Sequence, residues 1–195
     1  MAYTTINKSS NYISTKLYTG TGSSQSITGV GFQPDMNWHK TRTTSGYNHC
    51  FVDAVRGPTK FLRPNLSNSE DTYTGSFVSF DSDGFTIGDE ADINTNNSTN
   101  VSWNWKANGQ GVANTDGSIN TTYTSANTTA GFSIIKYAGT GSSGTIGHGL
   151  SATPKVLLIK EIDGAEGWRV WHRNAPNYST QALQLNSTSA EFSQT

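Results

Sequence analysis

The chain repeats itself. Tyr18-Thr19-Gly20-Thr21-Gly22-Ser23-Ser24 returns as Tyr137-Ala138-Gly139-Thr140-Gly141-Ser142-Ser143, an offset of 119 residues. The flanks agree, with Ile27 matched by Ile146, Gly31-Phe32 by Gly149-Leu150, Pro34 by Pro154 and Lys40 by Lys160, once Ser151 to Thr153 are taken as a short insertion. Beyond that the match loosens, pairing Val55-Arg56 with His172-Arg173 and Leu62-Arg63-Pro64-Asn65 with Leu183-Gln184-Leu185-Asn186. A period of about 120 residues is too long for a solenoid unit, so each copy is expected to own a core. On this alignment the second copy starts near Gly131, and Thr195 corresponds to about residue 74 of the first. Counterparts of Ser76-Phe77-Val78-Ser79-Phe80 and Trp103-Asn104-Trp105 are therefore missing. Either the chain is a piece of a longer protein, which is the favoured expectation, or the half-copy adds strands to the first unit, or another chain completes it.

Alternation of apolar and polar residues predicts strands at 12–18, 26–30, 36–40, 49–52, 75–80, 84–87, 100–105, 132–137, 155–161, 168–172 and 181–185. No segment sustains an amphipathic helical period. Asp83-Gly84 reads as a two-residue hairpin turn, and Asp163-Gly164 serves similarly before Trp168. Residues 1–106 form a first β-sandwich domain on this reading, 107–130 a Gly/Asn/Thr-rich linker, and 131–195 the N-terminal half of a repeated β domain. The fold class is all-β, a jelly-roll or lectin-like two-sheet sandwich followed by a partial second copy.

Composition agrees with many short strands and tight turns. Thr, Ser, Gly and Asn make up 89 of the 195 residues, while Asp, Glu, Lys and Arg are 14 %. Solubility must rest on hydroxyls and amides. Thirteen basic against 14 acidic residues give a formal net charge of -1, which leaves no field to gather nucleic acid. The longest apolar run, Val156-Leu157-Leu158-Ile159, is far too short to span a bilayer, and the first 20 residues hold no apolar signal core. The chain is expected to be made in the cytoplasm. Cys50 is alone, so no intrachain disulfide can form, and the Asn-x-Ser/Thr triplets are read as a by-product of composition.

No chemical constellation has the spacing of a site. Asp81-Ser82-Asp83-Gly84 and Asp89-Glu90-Ala91-Asp92 offer hard oxygens, but Phe85 stands where a helix-flanked calcium loop needs a third ligand. His39, His49, His148 and His172 form no metal-binding pair, and His39 is expected at the surface. Asp53, Glu70, Asp71 and Asp89 could supply a pair of hydrolytic carboxylates, yet no spacing singles one out. Catalytic residues, metal ligands and cofactors are accordingly expected to be none. Trp103-Asn104-Trp105 puts two indoles on one strand face, expected to bury against a facing sheet, with an aromatic sugar platform as the functional alternative. Trp168 and Trp171, three apart, should lie on opposite faces, leaving one free for the same role.

The segments Gly29-Val30-Gly31-Phe32-Gln33-Pro34-Asp35, Asp53-Ala54-Val55-Arg56-Gly57, Ser79 to Gly88, Val101-Ser102-Trp103-Asn104-Trp105-Lys106-Ala107 and Gly147-His148-Gly149-Leu150 together resemble a poorly characterised domain family in virion proteins of marine tailed bacteriophages. The resemblance runs through nearly the whole chain. It implies tandem β domains like concanavalin-type jelly rolls, in tail-fibre or other surface components, and members that continue past the point matching Thr195. Where members have an apolar pair beside Trp38, this chain has Asn37 and His39, which implies a more exposed strand. The leading expectation is a non-enzymatic virion structural protein, contacting other virion proteins, assembling as a homo-oligomer such as a trimer, and touching host glycans. The alternatives are a capsid decoration protein and a carbohydrate-binding adhesin using Trp103, Trp105, Trp168 and Trp171.

Overall fold

A computed structural model describes residues 6–193, and its regular structure is almost wholly β. After a 3-10 turn at Ser9–Asn11 the strands are β1 (Ile13–Thr19), β2 (Gln25–Thr28), β3 (Met36–Thr41), β4 (Cys50–Asp53), β5 (Gly57–Leu62), β6 (Asp71–Thr72), β7 (Phe77–Asp81) and β8 (Gly84–Ile87). One helical turn, α1 (Ala91–Asn94), precedes β9 (Thr99–Trp105), β10 (Thr121–Asn127), β11 (Phe132–Tyr137), β12 (Val156–Ile159), β13 (Arg169–His172), β14 (Gln181–Gln184) and β15 (Phe192–Ser193). All eleven segments expected from alternation contain a strand. β5, β6, β10 and β15 are additional.

Two antiparallel sheets build the larger core. One has the order β1-β9-β3-β4-β5-β6 and the other β2-β8-β7. Cys50, Val52 and Phe61 from the first meet Ile27, Phe77, Phe85 and Ile87 from the second, with Val30, Phe32 and Ile93 closing the ends. Phe77 and Phe85 stack at 5.7 Å, and neither reaches solvent. Each such ring removes well over 100 Å² from water, on the order of 3 kcal/mol. The β7–β8 turn falls at Ser82-Asp83, one residue earlier than expected, because Asp81 pairs with Gly84. A side chain at 84 would meet the Ile27 carbonyl at 1.9 Å, so the sheet closes only over glycine. Asp83 braces this corner by accepting from the N–H groups of Gly29 (3.0 Å) and Gly31 (2.6 Å).

The faces of the six-stranded sheet run against expectation. Asn37, His39 and Thr41 of β3 and Asn100, Ser102 and Asn104 of β9 point into the sandwich and are fully buried or nearly so, whereas Trp38, Trp103 and Trp105 lie on the outer face. Trp103 and Trp105 thus do not bury against the facing sheet, and neither His39 nor Asn37 sits at the surface. The inward residues are tolerated because β3 and β9 pair Asn37 with Asn104 and His39 with Ser102. Asn37 Nδ2 donates to Asn104 Oδ1 at 2.5 Å, Asn104 Nδ2 to the Ser14 carbonyl at 2.9 Å, and Thr41 Oγ1 to Asn100 Oδ1 at 2.8 Å. Buried polar groups that satisfy one another cost little, and among the described residues only Asn37 Oδ1 and His39 Nε2 are left without a partner.

The remaining strands form a hairpin, β10-β11, and a four-stranded sheet, β12-β13-β14-β15. The stretch expected as a linker therefore carries β10, and Val112 and Thr124 exchange backbone hydrogen bonds across it. Its entry is held by Asp35, whose carboxylate accepts from Ala107 (2.6 Å) and Gly109 (3.1 Å). Asp163-Gly164 lies within a long connection between Ile159 and Arg169, not in a two-residue hairpin.

Similar local hydrogen bonds occur at positions about 120 residues apart. His49 N–H donates to Asn65 Oδ1 and Trp168 N–H to Asn186 Oδ1, both at 3.0 Å. Thr21 Oγ1 bonds Ser23 at its carbonyl and N–H, as Thr140 Oγ1 does Ser142. Lys40 Nζ folds onto Thr41 and Tyr47 carbonyls, as Lys160 Nζ does onto those of Glu161 and Gly164.

Candidate functional site

The outer face of the six-stranded sheet is an aromatic band. Because β3 and β9 pair Trp38 with Trp103 and Met36 with Trp105, the indoles fall side by side. Trp38 and Trp103 rings are 5.6 Å apart and 63° inclined, and Trp38 meets Phe51 edge-on at 4.7 Å. At one end Phe132 of β11 stacks over Trp105 at 6.1 Å and 22°. At the other, Trp168 packs on Phe51 at 5.3 Å, inside a cluster with Leu62, Met36, Trp38, Ile162 and Leu185. Trp168 is 4 % exposed, and its Nε1–H donates to the Arg63 carbonyl at 3.1 Å. Phe132 of β11 and Trp168, just before β13, thus cover the two ends of the band and leave Trp38 and Trp103 half-buried between them.

Of the four tryptophans singled out in the sequence, Trp103, Trp105 and Trp168 belong to this band. Trp171 does not. It packs against Tyr178 at 5.7 Å and donates its Nε1–H to the Tyr178 carbonyl. Sequence reasoning missed Trp38, although its pairing position on β3 is what carries the band from Trp103 to Phe51. It also missed His49, whose Nδ1 accepts the Trp38 Nε1–H at 2.9 Å. Burial, with Lys40 nearby, holds the His49 pKa below its ordinary value and keeps that nitrogen an acceptor. The indole N–H groups of Trp103 and Trp105 have no protein acceptor among the described residues, so the band offers apolar aromatic surface with free donors. Ile13 and Leu17 of the edge strand β1, 42 % and 63 % exposed, extend its apolar rim opposite Trp105 and Val101.

Of the four acids that the sequence offered as a hydrolytic pair, Asp53, Glu70 and Asp71 are ion-paired. Arg56 binds Asp53 at 2.7 Å and Glu70 at 3.1 Å, and Arg63 binds Asp71 and Asp92. Asp81 accepts from Ser79 and Thr86, both at 2.7 Å. Among the described residues no three His, Cys, Asp or Glu side chains converge to hold a metal ion, and no helix is long and apolar enough to cross a membrane.

Residues 8–195 match the model of a family described as a domain of unknown function, DUF7483. The chain belongs to that family. No curated protein and no solved structure matches it.

Proposed function

We propose that the chain is a non-enzymatic structural protein on the surface of a phage particle, a tail or fibre component that works by contact with other virion proteins. The observation carrying this reading is the second unit's sheet. Val156, Leu157, Leu158 and Ile159 are 48, 38, 42 and 42 % exposed, a continuous aliphatic strand left bare on both faces. Exposed apolar patches of this kind mark protein interfaces. The motif resemblance supplies the virion setting, and the ion-paired carboxylates fit a protein without hydrolytic chemistry. We read residues 131–193 as a partial second copy of a concanavalin-like jelly roll. The matched strand order, β3-β4-β5-β6 beside β12-β13-β14-β15, and the paired Asn65 and Asn186 bonds support it.

The test is location. Particles banded on a density gradient are digested with and without prior surface biotinylation. Peptides from residues 155–173 are expected in intact particles, with label on the exposed Lys106. Their confinement to unassembled lysate would overturn the proposal. A second reading, glycan binding on the band, draws on the half-buried Trp103 with its free N–H. Host polysaccharide should then quench tryptophan fluorescence, and Trp103→Ala should abolish binding with the fold intact. Binding unchanged in that variant would dismiss it.

A further inference from the structure

Four polar side chains form a quadrilateral on the inner face of the six-stranded sheet. β3 contributes Asn37 and His39, β9 contributes Asn104 and Ser102 opposite them, and all four are fully buried. Two sides of the figure are closed. Asn37 Nδ2 donates to Asn104 Oδ1, and Asn104 Nδ2 donates to Ser102 Oγ at 3.2 Å. The orientation of both amides follows from their surroundings. Asn104 Nδ2 also faces the Ser14 carbonyl at 2.9 Å and the Ser102 carbonyl at 3.3 Å, so Asn104 must turn its oxygen to Asn37, and Asn37 must answer with its nitrogen. That leaves Asn37 Oδ1 as an acceptor without a protein donor.

His39 supplies a second such acceptor. Tyr18 gives its hydroxyl proton to the Ile93 carbonyl, so His39 Nδ1, 3.3 Å from that hydroxyl, carries the imidazole proton, and Nε2 accepts with no protein donor. Ser102 has the reverse need. Its oxygen accepts from Asn104, while its hydroxyl proton has no acceptor among the described residues. The two unpaired acceptors stand two residues apart on one strand face, about 7 Å along the backbone, and the hydroxyl lies directly across from the second. Buried acceptors are costly to leave unpaired. Two acceptors and one donor are the complement of one water molecule, which has two protons to give and a lone pair to take the third. All four side chains are uncharged, which suits water and not an ion. We infer that one water molecule is built into the sandwich core, donating to Asn37 Oδ1 and His39 Nε2 and accepting from Ser102 Oγ, and that it completes the polar joint between β3 and β9. This site lies on the inner face and is independent of what the outer surface contacts.

Magnetic resonance of the isotope-labelled full chain tests this in solution. Dipolar cross-peaks from the water resonance to the side-chain amide protons of Asn37 and Asn104 are expected, with the sign that marks a water residing longer than the protein takes to tumble. The His39 Nε2 resonance should be that of an unprotonated nitrogen accepting a hydrogen bond. His39→Phe keeps a ring in the same space and removes the acceptor, so it should abolish the water cross-peak to Asn37. A high-resolution crystal structure should show one density peak within hydrogen-bond reach of Asn37 Oδ1, His39 Nε2 and Ser102 Oγ. An imidazole protonated at Nε2, an Nε2 resonance of a bare nitrogen, absence of the water cross-peaks, or their survival unchanged in His39→Phe would each overturn the proposal. The nitrogen measurement uses only the unaltered chain, so it decides the matter even where the variant does not fold.

Discussion

At position 39 a histidine sits where a sandwich core usually places an aliphatic. Its Nδ1 lies 3.3 Å from the Tyr18 hydroxyl, which itself donates to the Ile93 carbonyl at 2.7 Å. Nδ1 must therefore carry the proton, leaving Nε2 bare between the Phe77 and Phe85 rings with no partner. Burial drops the His39 pKa to about 3. An unfolded histidine titrates near 6.5, so between the two values the unfolded chain binds more protons, and stability falls as pH falls. The urea midpoint should decline from about pH 6.5 toward pH 3, and more shallowly in His39→Leu; parallel curves for the two proteins would refute the assignment. His49 acts with the same sign, since burial and Lys40 lower its pKa too. Trp103 makes a second contrast at this scale. Half-buried on the outer face, it should cost about 2 kcal/mol on truncation to alanine in chemical denaturation, against about 3–5 kcal/mol for Phe85→Ala in the sealed core.

Among elements, the side-chain amides of Asn65 and Asn186 hold the entry to β4 and to the segment leading into β13 by the same bond. Asn65→Ala and Asn186→Ala should each cost about 1 kcal/mol, with hydrogen exchange accelerating at His49 in the first and at Trp168 in the second. Position and period were legible in the sequence wherever large apolar residues alternated with polar ones. β5 was not, because Gly57-Pro58 and Lys60 interrupt its alternation, and β10 was not, because Thr121 to Asn127 has the β-branched residues of a strand without an apolar face. The face of β9 was misjudged for a different reason. Apolar-inward reasoning assumes one covered face, whereas this sheet is covered in part on both, and the better signal was Asn37-x-His39-x-Thr41 alternating in step with Asn100-x-Ser102-x-Asn104. Two polar rows that meet in register can be buried together.

For the whole molecule, the β12–β15 sheet is fastened to the two-sheet sandwich chiefly at Trp168. The ring fills the space beside Phe51 and Leu62, its N–H takes the Arg63 carbonyl, and the nearby Ile162 carbonyl accepts from the Glu70 N–H at 2.8 Å. β12, β13 and β14 have little other burial, Trp168 and Ala182 being the buried apolar residues beyond residue 107 among the described residues. A sheet with so small a core of its own holds its shape by leaning on a neighbour. Trp168→Ala should therefore cost about 3–5 kcal/mol, but the loss should be local. Native-state hydrogen exchange is expected to speed up through 156–184 while amides at Phe77 and Phe85 keep their protection, and Trp168→Phe should recover part of the difference by restoring contact with Phe51 without the Arg63 bond. Equal acceleration in both regions would mean that the units open together. Confinement to 156–184 would instead show that this sheet opens independently, as its small core leads one to expect.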